Sequence, residues 1–103
     1  MNAAELGIRI GELEPGPNDA ITDVAGVRVG HTTLIEGERV RTGVTVILPT
    51  PDGESCFAGA HRLNGNGELT GLEWIRESGL LTTPVGLTNT FSVGVVRDAI
   101  VAS

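Results

Sequence analysis

Alternation of apolar and polar residues dominates the first half of the chain. Residues 24–34 read VAGVRVGHTTL, where Val27, Val29 and His31 alternate with Arg28, Gly30 and Thr32. That two-residue period predicts a half-buried strand, and Gly26 and Gly30 predict a bulge or the close approach of another backbone. Residues 35–39 (IEGER) form a short polar connection with one glycine, suited to a hairpin. Residues 40–49 (VRTGVTVILP) are β-branched, apolar and stopped by proline, the strongest strand signal in the chain. Turn residues follow at Pro51, Asp52 and Gly53. Residues 55–63 (SCFAGAHRL) then alternate Cys56, Ala58 and Ala60 against Phe57, Gly59 and His61, so a small-residue face faces a close neighbour. The expectation is a three-stranded meander.

Helical signals take over in the second half. Residues 63–79 read LNGNGELTGLEWIRESG. Thr70 and Glu73 have capping-box spacing, and Leu69 and Trp74 have the spacing of a hydrophobic staple. Gly79 is placed to end the helix in the left-handed conformation. A helix is therefore expected over 71–78, with Leu72 and Ile75 turned inward. It is too short to stand alone and must dock on the sheet. Residues 84–88 (PVGLT) predict a short strand. Val93, Val96 and Ile100 then recur at helical spacing, with Thr90 or Ser92 as the expected cap. The last segment stays apolar through Val101 and Ala102 without a terminating signal, as expected of the N-terminal part of something larger. Residues 1–20, with Pro15, Gly16 and Pro17, read as an extended arm, and 21–103 as one incomplete α+β domain.

Composition narrows the function classes. A chain of 103 residues is enough for one domain. Its net charge of -6 argues against nonspecific binding to nucleic acid or to an anionic membrane. Cys56 is alone, so no internal disulfide forms, which fits a reducing compartment. The N-terminus shows no basic-then-apolar leader. No apolar run approaches the ~20 residues of a spanning helix. A soluble, cytoplasmic protein is expected.

Candidate chemistry centres on the glycine-rich turn. Gly65-x-Gly67-x-x-x-Gly71 precedes a helix, yet the third glycine is one residue late for a dinucleotide fingerprint, and the Lys-Ser/Thr of a P-loop is missing. Asn and Gly here also suit left-handed turn conformations. The clustering of Asn64, Asn66 and Glu68 at one helix entry, which turn formation explains less well, gives a second reading, a site for a polar, amine-bearing ligand. Asn89, between a strand end and a helix, is either a cap or a second contributor to that site. Ser55, Ser78, Ser92, Ser103 and Cys56 accompany His31 and His61, but no nucleophile-elbow motif occurs. Two His and one Cys without short ligand spacing make no metal site. No catalytic residue, metal or cofactor is assigned.

Four segments, ITDVAGVRVGHTT, RTGVTVILP, LNGNGELTGLEWIRESG and TPVGLTNTFSVGVVRDAIV, occur in an order that resembles the N-terminal part of the DmpA-type L-aminopeptidase/D-esterase family, which includes the β-peptidyl aminopeptidases. The likeness runs from about Ile21 onward. It implies part of a four-layer αββα sandwich of the DmpA/ArgJ-like type, similar to N-terminal-nucleophile hydrolases. Such proteins cut their own chain and use the new N-terminal serine of the β subunit to remove N-terminal residues from peptides, amides or esters. The likeness implies that this chain supplies scaffold and part of a substrate pocket, and Asn64, Asn66, Glu68 and Asn89 are the positions expected to bind substrate there. It implies as partners a peptide or amino-acid amide, the rest of the chain or a β subunit, and further copies in a homo-oligomer.

One departure bears on activity. None of the fifteen glycines is followed by Ser, Thr or Cys, and Asn89-Thr90 would release too short a remainder to build a catalytic half. The nucleophile is therefore expected outside this chain, which alone should be inactive. Phe91 also stands where such relatives often carry His. The alternative expectation is a non-catalytic module with the same half-fold that binds a small ligand or assembles with a partner.

Overall fold

The computed structural model describes residues 3–51 and 54–103. Its regular elements are five strands, β1 (Arg28–Glu36), β2 (Val40–Leu48), β3 (Cys56–Phe57), β4 (Leu80–Leu81) and β5 (Val85–Leu87), and two helices, α1 (Leu72–Ser78) and α2 (Val93–Ala102). The fold is α+β, with antiparallel pairing throughout.

The hairpin forms where the alternation and the glycine-bearing connection predict it. β1 and β2 pair over all nine positions, from Arg28 opposite Leu48 to Glu36 opposite Val40. The three-residue turn between them holds Gly37 at φ 53, a conformation glycine adopts without steric cost. The ladder runs unbroken, so the bulge expected near Gly30 does not form. Nor does another backbone press on Gly26: a Cβ there would lie 3.4 Å from the Pro51 ring, an ordinary contact, and glycine serves instead its φ of 88.

The meander is corrected. The third strand of the main sheet is β5, giving the order β1-β2-β5, while β3 pairs with β4 in a separate two-stranded sheet. The segment expected as strand over 55–63 keeps only Cys56 and Phe57 in the ladder, opposite Leu81 and Leu80. Beyond it the alternation loses its partner. Proximity in sequence favoured β2 as the neighbour of β3, but the chain leaving α1 turns at Gly79 and offers β4 instead. The Gly79 carbonyl accepts the N–H of Ala58 at 2.9 Å, extending that pairing by one rung. Asp52 and Gly53 of the expected turn lie outside the described residues.

Both helices occupy the expected stretches. Gly79 closes α1 at φ 70, its N–H donating to Ile75 O at 2.8 Å. Val93, Val96 and Ile100 are the half-buried residues of α2, along with neighbouring Ser92, while Val95 and Val101 face outward. That inward stripe lies over β5 at Gly86, where an added Cβ would fall 2.7 Å from Val96 Cγ1 and 2.9 Å from Ile100 Cδ1. The expected caps differ. A 3-10 turn, Thr90–Ser92, precedes α2, and the side chain that caps it is Asn89, accepting from the Phe91 N–H at 3.1 Å. Ser92 makes no capping hydrogen bond.

Residues 3–20 contain no helix or strand and are exposed throughout. They meet the domain at a polar knot that the hydrophobic pattern did not foretell. The Asp23 carboxylate, on a 3-10 turn (Ile21–Asp23), accepts from the backbone N–H groups of Asn18 and Ala20 and from Asn18 Nδ2 at 2.8 Å. In return the Asp23 N–H donates to Ala20 O. Those donors, Ala20 N–H foremost, hold the Asp23 carboxyl below the usual 3.8 of an aspartate. A depressed pKa means that the knot is supported above pH 3.8 and loses that support as pH falls through the folded-state value. The protection of the Asn18 and Ala20 amides, taken against the intrinsic exchange rate at each pH, should therefore fall on acidification below that point. Asp23→Asn should exchange fast at neutral pH already, and equal protection in the two proteins would refute the assignment.

No described residue is fully buried. The accessible surface is 8555 Å², whereas a self-contained fold of this mass exposes about 5,500 Å². The radius of gyration, 15.7 Å, likewise exceeds the ~13 Å of a compact chain of this length. The half-buried residues concentrate on β2, β5 and the inner face of α2, so the sheet holds one half of a core whose other half the described residues do not provide.

Candidate functional site

The turn at 63–71 and the first turn of α1 form one wall of two adjoining clefts, each of about 600 Å³. The helix start differs from the capping box. Its N-cap is Gly71, in the left-handed conformation at φ 88 and ψ 0, with no side-chain cap. The Gly71 carbonyl takes the first helical hydrogen bond, from Ile75 N–H at 3.2 Å. A left-handed residue at 71 moves the helix start one position on, so Thr70 is one residue too early to cap it. Glu73 pairs instead with Arg76 at 2.9 Å. Leu69 and Trp74, the expected staple, are both about half exposed and both line the two clefts. The left-handed Gly71 thus turns the preceding loop outward and leaves an open notch.

Glu68 lines both clefts and stands where they meet. It makes no hydrogen bond or ion pair with any described residue, so its carboxylate is available to a cationic group. Asn64 lines the first cleft together with His61 and Arg62. Its Oδ1 accepts the Asn66 N–H at 3.0 Å, an Asx-type turn that shapes the loop and leaves the amide Nδ2 for other use. Asn66 serves that turn through its backbone and lines neither cleft.

Asn89 is not brought to Glu68. Its Nδ2 donates to Thr42 Oγ1 at 2.7 Å while its Oδ1 caps the turn before α2. Thr88 Oγ1 donates to Gly43 O at 3.0 Å beside it. These bonds clamp the β5–α2 corner to β2. Leu87 and Thr88 do reach the second cleft, whose apolar floor is Leu81, Val85, Val96 and Ile100. Of the four residues expected to bind substrate, the structure gathers Asn64 and Glu68 at one place. Asn66 serves the turn, and Asn89 serves the corner.

The second cleft was not foreseen. Opposite the 68–71 turn and α1 its residues come from β4, β5 and α2, which are distant from that turn or from one another in sequence, and only the small Gly86 inside an apolar strand hinted that a helix would pack there. Two of the serines make structural bonds. Ser78 Oγ donates to Trp74 O at 2.7 Å and accepts from Leu80 N–H. Ser103 Oγ donates to Ile100 O. Cys56 is half-buried within β3. His31 Nδ1 lies 2.9 Å from Thr45 Oγ1 across the hairpin. Among the described residues no three His, Cys, Asp or Glu side chains converge as metal ligands, and no helix is long and apolar enough to cross a membrane.

Residues 19–103 match the model of peptidase family S58. The chain belongs to that family. It is 47% identical, over 96% of its length, to a β-peptidyl aminopeptidase BapA of Sphingosinicella microcystinivorans, of which it covers 27%. It is 42% identical to the BapA of Sphingosinicella xenopeptidilytica, covering 26% of that protein. The chain thus spans about a quarter of the length of these curated relatives. The crystal structure of the PH0078 protein from Pyrococcus horikoshii OT3 superposes with a TM-score of 0.88 at 44% identity, covering 99% of this chain and 32% of that one. The S58 fold therefore includes this arrangement of hairpin, short strands and two helices, and the DmpA-type resemblance stands.

Proposed function

We propose that this chain is the first part of the α-subunit-like region of a self-processing S58 aminopeptidase/amidase. The complete protein would remove N-terminal residues from peptides, amides or esters. The chain would supply one sheet layer of an αββα sandwich, and the clefts around Glu68 would form part of the substrate pocket. The observation that carries this reading is the family match over residues 19–103. It is supported by the half-buried residues of β2 and β5, none of them fully covered among the described residues, which a second layer would bury. Two relatives are named β-peptidyl aminopeptidases, which supports a substrate with a free N-terminal amine, and binding energy would hold that amine while positioning the acyl carbon.

The test is expression from the full reading frame. The expected result is two fragments on denaturing gels, the smaller beginning with Ser or Thr, and release of p-nitroaniline from aminoacyl or β-aminoacyl anilides. An intact, folded and inactive product would favour instead a binding or assembly module with the same half-fold.

A further inference from the structure

The β5–α2 corner is held by side chains where the ladder stops holding it. We infer that Thr42 and Asn89 are positioning residues for the cleft under α2, and that this cleft takes an apolar side chain on the substrate's first residue. The inference rests on the reading of the clefts around Glu68 as part of the substrate pocket.

The β2–β5 ladder ends at Thr45 opposite Leu87. The next two residues are tied to β2 through their side chains instead. Thr88 Oγ1 donates to Gly43 O at 3.0 Å, and Asn89 Nδ2 donates to Thr42 Oγ1 at 2.7 Å. Asn89 Oδ1 meanwhile accepts the Phe91 N–H at 3.1 Å, so both ends of its amide are engaged within the corner. All these bonds join residues of this chain and require no other part of the protein. Leu87 and Thr88 line the cleft under α2, and Glu68 lines it too. The stitch therefore sets where that wall lies relative to the Glu68 carboxylate.

Covalent geometry directs the substrate's side chain. In an α-amino acid, or a β-amino acid substituted beside its amine, amine and side chain share one carbon. An ammonium held by Glu68 thus sends the side chain into one of the two clefts that meet there. His61, Arg62 and Glu73 line the first, whereas the floor of the second is apolar. Burial of apolar surface selects the second.

The test uses the full-length, self-processed protein and p-nitroanilides whose first residue bears an isobutyl side chain or none. Thr42→Val keeps the shape and removes the acceptor. It should raise KM for the isobutyl substrate about three- to tenfold, because losing one hydrogen bond lowers the fraction of corners in the binding position. KM for the unsubstituted substrate, and kcat for both, should stay within about twofold. Thr42→Ser keeps the hydroxyl. Asn89→Asp keeps the cap and can accept from the Thr42 hydroxyl. Both should restore KM to within about twofold of wild type. Urea midpoints should barely change, since water replaces an exposed bond. Unchanged KM in T42V, an equal rise for both substrates, or T42S as impaired as T42V would overturn the positioning role while leaving Glu68 to its own test. A wild type that binds the unsubstituted substrate as tightly as the isobutyl one would mean that another part of the chain fills the cleft, and would overturn the inference. A wild type that releases no p-nitroaniline would overturn the substrate-pocket reading and this inference with it.

Discussion

Gly43→Ala should destabilise the protein by about 2–3 kcal/mol, near the upper end for inserting one methyl group. Gly43 lies opposite Thr33 in the hairpin. A Cβ built on it falls 2.5 Å from Thr32 O and 3.3 Å from Thr33 Cα. Those are backbone atoms of the paired strand, so relief requires moving the ladder. The shift would also disturb Gly43 O, which accepts from Thr88 Oγ1 and helps clamp the β5–α2 corner. Alanine restricts the unfolded chain, and Gly43 is not among the residues with positive φ, so a gain of about 0.4–1 kcal/mol offsets part of the strain. At Gly86 the same methyl would meet only the side-chain tips Val96 Cγ1 and Ile100 Cδ1, which can turn aside. Gly86→Ala should therefore cost less. Urea midpoints of the two full-length variants, at unchanged m-value, check the order. A Gly43→Ala protein as stable as wild type would mean that the hairpin opens at little cost.

These two glycines also show what the sequence could and could not reveal. Within VRTGVTVIL the run of β-branched residues identifies a strand whatever Gly43 does, because that preference is local. Which glycine meets a neighbouring backbone depends on register, and register depends on both strands at once. Gly26 and Gly30 were therefore the expected points of a bulge or close backbone approach, and Gly43 is where another backbone comes close. The same division explains β3. Its alternation is local and survives as half-buried Cys56, exposed Phe57 and half-buried Ala58. Its partner, Leu80–Leu81, lies beyond a loop and a helix and is chosen by the turn at Gly79.

At the candidate site the legible part was again the local one. The Asn-Gly alternation predicts a turn, and Asn64 makes it. The capping box failed because Thr70 and Glu73 have the right spacing, but the intervening Gly71 takes the left-handed conformation and becomes the cap itself. Asn89 was readable as a cap or as a site residue, and the contact that shows its clamping role is Thr42 Oγ1, 47 positions away. The apolar cleft under α2 left no mark beyond Gly86, since it is assembled from elements that meet only in the folded chain.

The strongest test of the proposed substrate role is Glu68→Gln, which keeps size and hydrogen-bonding reach while removing the charge. A carboxylate facing an ammonium makes a charge-assisted hydrogen bond worth about 1.5–3 kcal/mol. Its loss should lower kcat/KM for substrates with a free N-terminal amine by roughly tenfold to a hundredfold. Most of the loss should appear in KM, because the amine is held alike in ground and transition states. N-acetylated substrates, which carry no charge there, should be hydrolysed slowly and equally by wild type and variant, so the difference between proteins collapses when the amine is blocked. Self-cleavage should be unchanged, since it occurs before any substrate binds. Asn66→Ala provides the contrast: its side chain lines neither cleft, and its effect on KM should be small. An E68Q protein with unaltered KM for free-amine substrates would move Glu68 from the substrate pocket to the surface of the loop. A loss equal for free and acetylated substrates would make its role structural.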